Sequence, residues 1–157
     1  MSNTTTNQTL LAAKSWLQDY HSLGDQLTPE LAVPKFYAPD CEMRFPGHSP
    51  IKGQEAIINF FKEQSTILES MKHTIGHVDV LPDRIYQEAT IEYVLKGDDE
   101  KKVVSVQGIA IFGKGVDDDK MRFFTVYLDR SPLVERVRVI SAKGGDSRVS
   151  GVSSASK

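Results

Sequence analysis

The side chains able to do acid–base chemistry in this sequence are scattered, and their neighbours decide what each can do. His73 stands in Lys72-His73-Thr74-Ile75-Gly76, where helical spacing gives way to alternation. A histidine titrates near neutral pH, at about 6.5, so it can both take and give a proton. His77 follows on the same alternating run and reads as structural or exposed. Asp129 closes the last apolar run. In an apolar pocket its pKa would rise and make it a usable acid or base. Before Ser131-Pro132 it could equally cap a turn. Tyr20 lies on a helical stripe, and a tyrosine hydroxyl can polarise a carbonyl or stabilise an enolate oxygen. Arg44 alternates with Met43 and Phe45 and so points away from whatever they face. Glu88 and Glu92 share one strand face that reads as solvated, and Asp117-Asp118-Asp119 reads as a turn. Cys41 is the only cysteine, which leaves no intrachain disulfide and no Cys/His zinc spacing. No metal site and no cofactor are expected.

Periodicity supplies the elements that must position these groups. Ala13, Trp16, Leu17 and Tyr20 fall on one helical face, within a helix expected over about Thr9–Leu23. Thr28-Pro29-Glu30 is a helix start with a Thr N-cap, and the helix runs to Tyr37, kept short or kinked by Pro34. Cys41–Phe45 is a short strand. A third helix is expected over Gln54–Ser70. Met71–Leu81 then alternates, and Arg84–Lys96, Val103–Phe112 and Met121–Leu128 read as three long strands joined by tight polar turns. Helices followed by a strand meander make an α+β fold. Residues 1–8 read as a flexible tail, 9–137 as one domain and 138–157 as a disordered tail.

The composition is that of an ordinary globular domain: 157 residues, 39% hydrophobic, 25% charged, net charge −2. No basic run is interleaved with aromatics, so nucleic acid is not an expected partner. Neither a signal peptide nor a bilayer-spanning apolar run is present, so the expectation is a cytoplasmic protein without a membrane partner.

The segment Phe36-Tyr37-Ala38-Pro39-Asp40-Cys41-Glu42-Met43-Arg44-Phe45-Pro46-Gly47 is followed by Ile51-Lys52-Gly53-Gln54-Glu55-Ala56-Ile57. With Val126-Tyr127-Leu128-Asp129-Arg130-Ser131-Pro132, these stretches resemble the nuclear transport factor 2-like superfamily, in its SnoaL-like polyketide cyclase branch. The resemblance spans roughly residues 9–137. It implies a cone: a curved antiparallel sheet, backed by about three N-terminal helices, enclosing an apolar pocket. It implies a homodimer through the outer sheet face, for which Ile109, Ile111, Phe124 and Val126 are candidates. Apolar residues on both faces of the strands fit that arrangement.

Two relatives sharpen the comparison. The aspartate base of ketosteroid isomerases is replaced by Phe45, and their second aspartate falls near Gly108. Scytalone dehydratase is matched at Tyr20 and His73, but His21 replaces the aspartate after the tyrosine, and a second histidine falls near Ile109. The resemblance thus implies a catalytic set of His73, Asp129 and Tyr20, with Trp16, Phe45, Tyr127, Met43 and Phe60 as substrate-binding walls. In that arrangement Asp129, Tyr127 and Thr125 share the inward face. The implied function is a cofactor-independent cyclase or isomerase of secondary metabolism, acting on a small apolar polyketide- or terpenoid-like substrate. A non-catalytic small-molecule binder or dimerisation module is the alternative, and a dehydratase or epoxide hydrolase the third reading.

Overall fold

A computed structural model describes residues 2–144, with four helices and six strands among them. The first helix, α1 (Ser2–Gly24), buries Ala13, Leu17 and His21 on one stripe. It therefore takes in most of the stretch expected to be a loose tail. It ends in a turn in which the Asp25 N–H bonds to the His21 carbonyl and the Leu27 N–H to that of Gly24. Leu27 closes this turn in the left-handed region at φ 57°, a position that costs a branched side chain about 1–2 kcal/mol.

The helix α2 (Pro29–Phe36) starts with Pro in its first turn, as expected, but its Thr28 makes no side-chain cap. It runs directly into β1 (Tyr37–Arg44), which begins earlier than the alternation suggested. A two-residue strand, β2 (Ile51–Lys52), precedes α3 (Gln54–Ser65). The Gln54 side-chain amide donates to the Tyr37 carbonyl at 2.8 Å and pins α3 to the start of β1. This helix stops short of Ser70 because Leu68 already opens β3 (Leu68–Leu81). The meander follows as β4 (Arg84–Leu95), β5 (Val104–Gly113) and β6 (Met121–Leu128).

The six strands form one sheet in the order β2-β1-β6-β5-β4-β3. All neighbours are antiparallel except β1 and β6, which run parallel. This pair joins the two ends of the fold, where no hairpin dictates direction. The α+β reading stands, with a mixed rather than wholly antiparallel sheet.

Register assigns each side chain to a face. Val80, Ile85, Phe112, Phe124 and Met43 lie in one cross-strand row, and Val78, Gln87, Ala110 and Val126 in the next. These rows face the helices and carry the buried core with Leu17, Val33, Phe36 and Ile57. Phe124 and Val126 therefore belong to the inner face, not to the outer dimer face proposed for them. Ile109 and Ile111 do lie outside, with Tyr86, Glu88 and Tyr127. Thr125 pairs with Ile111 and Tyr127 with Ile109, so these two β6 residues follow the outer face, against the expectation that they point inward.

A bulge in β3 keeps its inward residues in phase. Ile75 pairs with Ala89 and Val78 with Gln87, so Gly76 and His77 together oppose Glu88 alone. Before the bulge Met71, His73 and Ile75 face in, and after it Val78 and Val80 do. His77 is left outside, bonded to Asp79 at 3.0 Å.

A further helix, α4 (Ser131–Gly144), packs on the sheet through Leu133 and Val137. The tail expected from residue 138 is thus helical to Gly144; the remainder lies outside the described residues. Arg136 is buried and grips Asp98 of the β4–β5 turn with two hydrogen bonds, at 2.8 and 2.5 Å. That contact holds Asp98 down to about pKa 2.

Candidate active site

Between the inner sheet face and helices α1–α3 lies a cavity of about 1320 Å³. It exceeds the ~300–1,000 Å³ of common small-molecule sites. Its walls are mainly apolar: Ala32, Val33, Ile51, Phe60, Phe61, Met71, Phe124 and Leu133 contribute. Phe45 and Phe60, both expected as walls, line it with ring centroids 5.2 Å apart.

One wall is polar, and α1 with its exit turn supplies most of it. From about one and a half turns of chain, Tyr20 projects toward Tyr37 of β1, His21 toward Gln87 of β4 and Asp25 toward His73 of β3. Asp25 Oδ1 accepts a hydrogen bond from His73 Nδ1 at 2.6 Å, and Oδ2 accepts one from the His73 main-chain N–H at 2.9 Å. Both side chains are largely buried, at 20% and 15% exposure. An ionised carboxylate only accepts, so the Nδ1 hydrogen is fixed and Nε2 is the nitrogen left for other chemistry. His73 lines the cavity, and Asp25 stands behind it.

The His21 ring stacks on that of His73, with centroids 4.4 Å apart and planes 23° from parallel. Burial pushes His21 down to about pKa 4, and the neighbouring His73 adds to the effect. His21 is therefore neutral at neutral pH. Its Nε2 lies 2.8 Å from Oε1 of Gln87. Since an amide oxygen only accepts, His21 Nε2 carries the hydrogen. Gln87 is 1% exposed, and its amide nitrogen has no hydrogen-bond partner among the described residues. Such an orphan costs about 1–3 kcal/mol in a folded protein.

Tyr20 and Tyr37 complete the wall with hydroxyl oxygens 2.7 Å apart. Burial raises both phenols well above their ordinary values, so both stay protonated. In such a pair one hydroxyl donates to the other, and the second keeps its hydrogen for a ligand oxygen.

Other expected site residues lie elsewhere. Trp16 does not line the cavity: its ring packs edge-on against Phe36 and Phe112, and its Nε1 donates to the Asp119 carbonyl at 2.8 Å. Met43 is fully buried in the core beside the cavity. Tyr127 borders the cavity but is half exposed on the outer-face register. Asp129 also borders it, yet it is exposed and accepts hydrogen bonds from the Ser131 N–H at 3.0 Å and hydroxyl at 2.5 Å. It caps α4, and those bonds lower its pKa rather than raise it. Histidine and carboxylate do pair at the cavity wall, but the carboxylate beside His73 is Asp25, not Asp129.

Sequence reasoning missed Asp25, Tyr37 and Gln87 as site groups and saw His21 only as a replacement. The signal for Asp25 was its place four residues after His21, one helical turn along the same face. For Gln87 it was a polar residue on the inward phase of a strand whose neighbours at that phase, Ile85 and Ala89, are apolar.

The glycine at 108 has a packing reason. A Cβ there would meet the Tyr127 carbonyl oxygen at 2.7 Å and Leu128 Cβ at 2.8 Å. Among the described residues no group of three or more His, Cys, Asp or Glu is placed to hold a metal ion. Nor is any helix long and apolar enough to cross a membrane.

The SnoaL-like domain family matches residues 29–123, more than half of the chain. The chain belongs to that family. Solved structures with the same fold include a candidate SnoaL-like polyketide cyclase from Jannaschia sp. CCS1, at TM-score 0.63 and 16% identity, over 87% of this chain and 94% of that one. PrhC from Penicillium brasilianum NBRC 6234 aligns at TM-score 0.70 and 15% identity, over 86% and 91% of the two chains. TsrD from Streptomyces laurentii aligns at TM-score 0.61 and 16% identity, over 84% and 96%. At these identities the likeness is one of fold. No curated protein sequence matches the chain. In this SnoaL-like domain Tyr37, His73 and Gln87 of the polar wall lie within the matched segment, whereas Tyr20, His21 and Asp25 precede it.

Proposed function

We propose that this SnoaL-like protein is a cofactor-independent cyclase or isomerase of secondary metabolism that moves a proton on a polyketide- or terpenoid-like substrate. The observation that carries this reading is the Asp25–His73 pair at the wall of a large apolar cavity. Asp25 orients the ring and fixes the hydrogen on Nδ1, so His73 Nε2 can take a proton from carbon beside a carbonyl and return it elsewhere. The Tyr20–Tyr37 pair supplies a hydrogen bond to oxygen on which charge develops. The apolar walls strengthen both effects by excluding water.

A second reading, a non-catalytic small-molecule binder of the same fold, is favoured by one observation. Asp129, the carboxylate that the family resemblance implied, is exposed and committed to the Ser131 N–H and hydroxyl at the start of α4. Exchange of the α-hydrogens of 2-tetralone in deuterated buffer separates the two. Exchange faster than buffer, lost in His73→Ala while 2-tetralone still binds, supports the enzyme. Binding without faster exchange supports the binder.

A further inference from the structure

We propose that Gln87 recognises the ligand: its side-chain amide nitrogen donates a hydrogen bond to a neutral ketone- or quinone-type oxygen at the floor of the cavity. This extends the acid–base reading above by naming the functional group that the substrate must present.

Gln87 lies in a cross-strand row with Val78, Ala110 and Val126, and it is the one polar side chain in that row. It lines the cavity while being 1% exposed. A glutamine at an apolar row in a core is costly unless both ends of its amide are used. One end is used: Oε1 accepts from His21 Nε2 at 2.8 Å, which fixes the amide plane. The other end, Nε2, has no hydrogen-bond partner among the described residues. An amide held by one end and bare at the other is a donor prepared for an incoming acceptor.

The surroundings select the kind of acceptor. His21, which holds the amide, is neutral. The cationic Arg130 at the cavity edge is engaged by Gln64 Oε1 at 3.1 Å. Among the described residues that line the cavity Arg130 is the one Lys or Arg, and no ion pair or hydrogen bond links it to Gln87; a carbonyl oxygen needs only the neutral donor that Gln87 offers. The His21 ring that orients Gln87 is stacked at 4.4 Å on the ring of His73. A carbonyl anchored on Gln87 therefore lies on the same polar wall as the proton carrier.

The test uses 9-fluorenone and fluorene, one ring skeleton with and without a carbonyl. Fluorenone has no hydrogen on the carbons beside its carbonyl, so binding is read apart from any proton transfer by His73. Dissociation constants of both are measured on the wild-type protein and on Gln87→Leu, which keeps the bulk and removes the amide. The proposal expects the variant to bind fluorenone about five- to tenfold more weakly, the size of one neutral hydrogen bond, and to bind fluorene as well as before or better. It also expects the infrared carbonyl stretch of fluorenone bound to wild type to lie below its value in an apolar solvent. That second reading needs no variant and stands even if Gln87→Leu folds poorly. Equal weakening of both ligands, unchanged fluorenone affinity, an unshifted stretch, or no binding of fluorenone would each overturn the proposal. In His73→Ala the fluorenone result should persist, so a failure of the acid–base reading leaves this one separately decided.

Discussion

Asp25 holds His73 with both carboxylate oxygens, one on the ring Nδ1 at 2.6 Å and one on the main-chain N–H at 2.9 Å. The two residues come from the exit turn of α1 and from an edge strand of the sheet, 48 positions apart. A single carboxylate thus docks the helix on the sheet and sets the tautomer of the histidine. Asp25→Asn can keep the contact to the main chain but no longer offers a carboxylate oxygen to the ring Nδ1. Its fold should survive, and its catalytic rate should fall about a hundredfold, the typical worth of a positioned acid–base group. Nitrogen NMR of the His73 ring should show Nδ1 protonated in wild type and a mixture of tautomers in the variant. An unchanged tautomer would mean that Asp25 does not set it.

His21 makes stability depend on pH. Its folded pKa lies at about 4, below the ordinary 6.5, so the unfolded chain takes up a proton first as pH falls. Its contribution is full above about pH 6.5 and is lost as pH drops toward 4. The shift corresponds to roughly 3 kcal/mol over that window. In His21→Gln the slope of unfolding free energy against pH between 6.5 and 4 should flatten. Parallel urea-unfolding curves for the two proteins across that range would contradict the assignment.

The buried pair of Asp98 and Arg136 should matter most above pH 4. Asp98 is held at about pKa 2, so its contribution is full above the ordinary carboxylate range and disappears as pH falls through 2. Asp98→Asn should be less stable than wild type at pH 7, because it leaves the buried Arg136 guanidinium only the more exposed Glu100 as a counter-charge. The gap should narrow steadily from pH 5 to pH 3. Denaturant midpoints measured over that interval check it, and a constant gap would show that the pair contributes no charge-dependent stability.

Much of this architecture could be read from the chain because its signals are local. The runs Arg84–Lys96, Val103–Phe112 and Met121–Leu128, separated by polar turns, marked the meander, and the stripe of Ala13, Trp16, Leu17 and Tyr20 marked α1. Faces were harder. Register assigns a strand to a face, and β6 continues past Leu128 into a helix cap, so extending the alternation to Asp129 placed Tyr127 and Thr125 on the wrong side. The bulge at Gly76–His77 is likewise invisible to simple alternation. Of the site, His73 and Tyr20 were legible from family resemblance. Asp25 was not, because its partner His73 lies 48 positions along the chain.

The outer sheet face is proposed as a dimer interface. Tyr86, Ile109 and Tyr127 are large apolar side chains on it, exposed by 36%, 44% and 51%. A second copy seated there would cover them. Light scattering at micromolar concentration should give twice the chain mass, and Ile109→Lys should give the monomer. A monomeric wild type would remove the dimer from the account.

The most direct test of the central claim is a double-mutant cycle on α-hydrogen exchange of 2-tetralone in deuterated buffer. Exchange rates are compared for wild type, Asp25→Asn, His73→Gln and the double variant, with binding of 2-tetralone measured in parallel. If Asp25 acts through His73, each single change slows exchange about a hundredfold without abolishing binding, and the double variant is no slower than His73→Gln alone. Independent, multiplying losses would show that the two residues do not work as a unit. Full exchange in His73→Gln would show that His73 does not carry the proton.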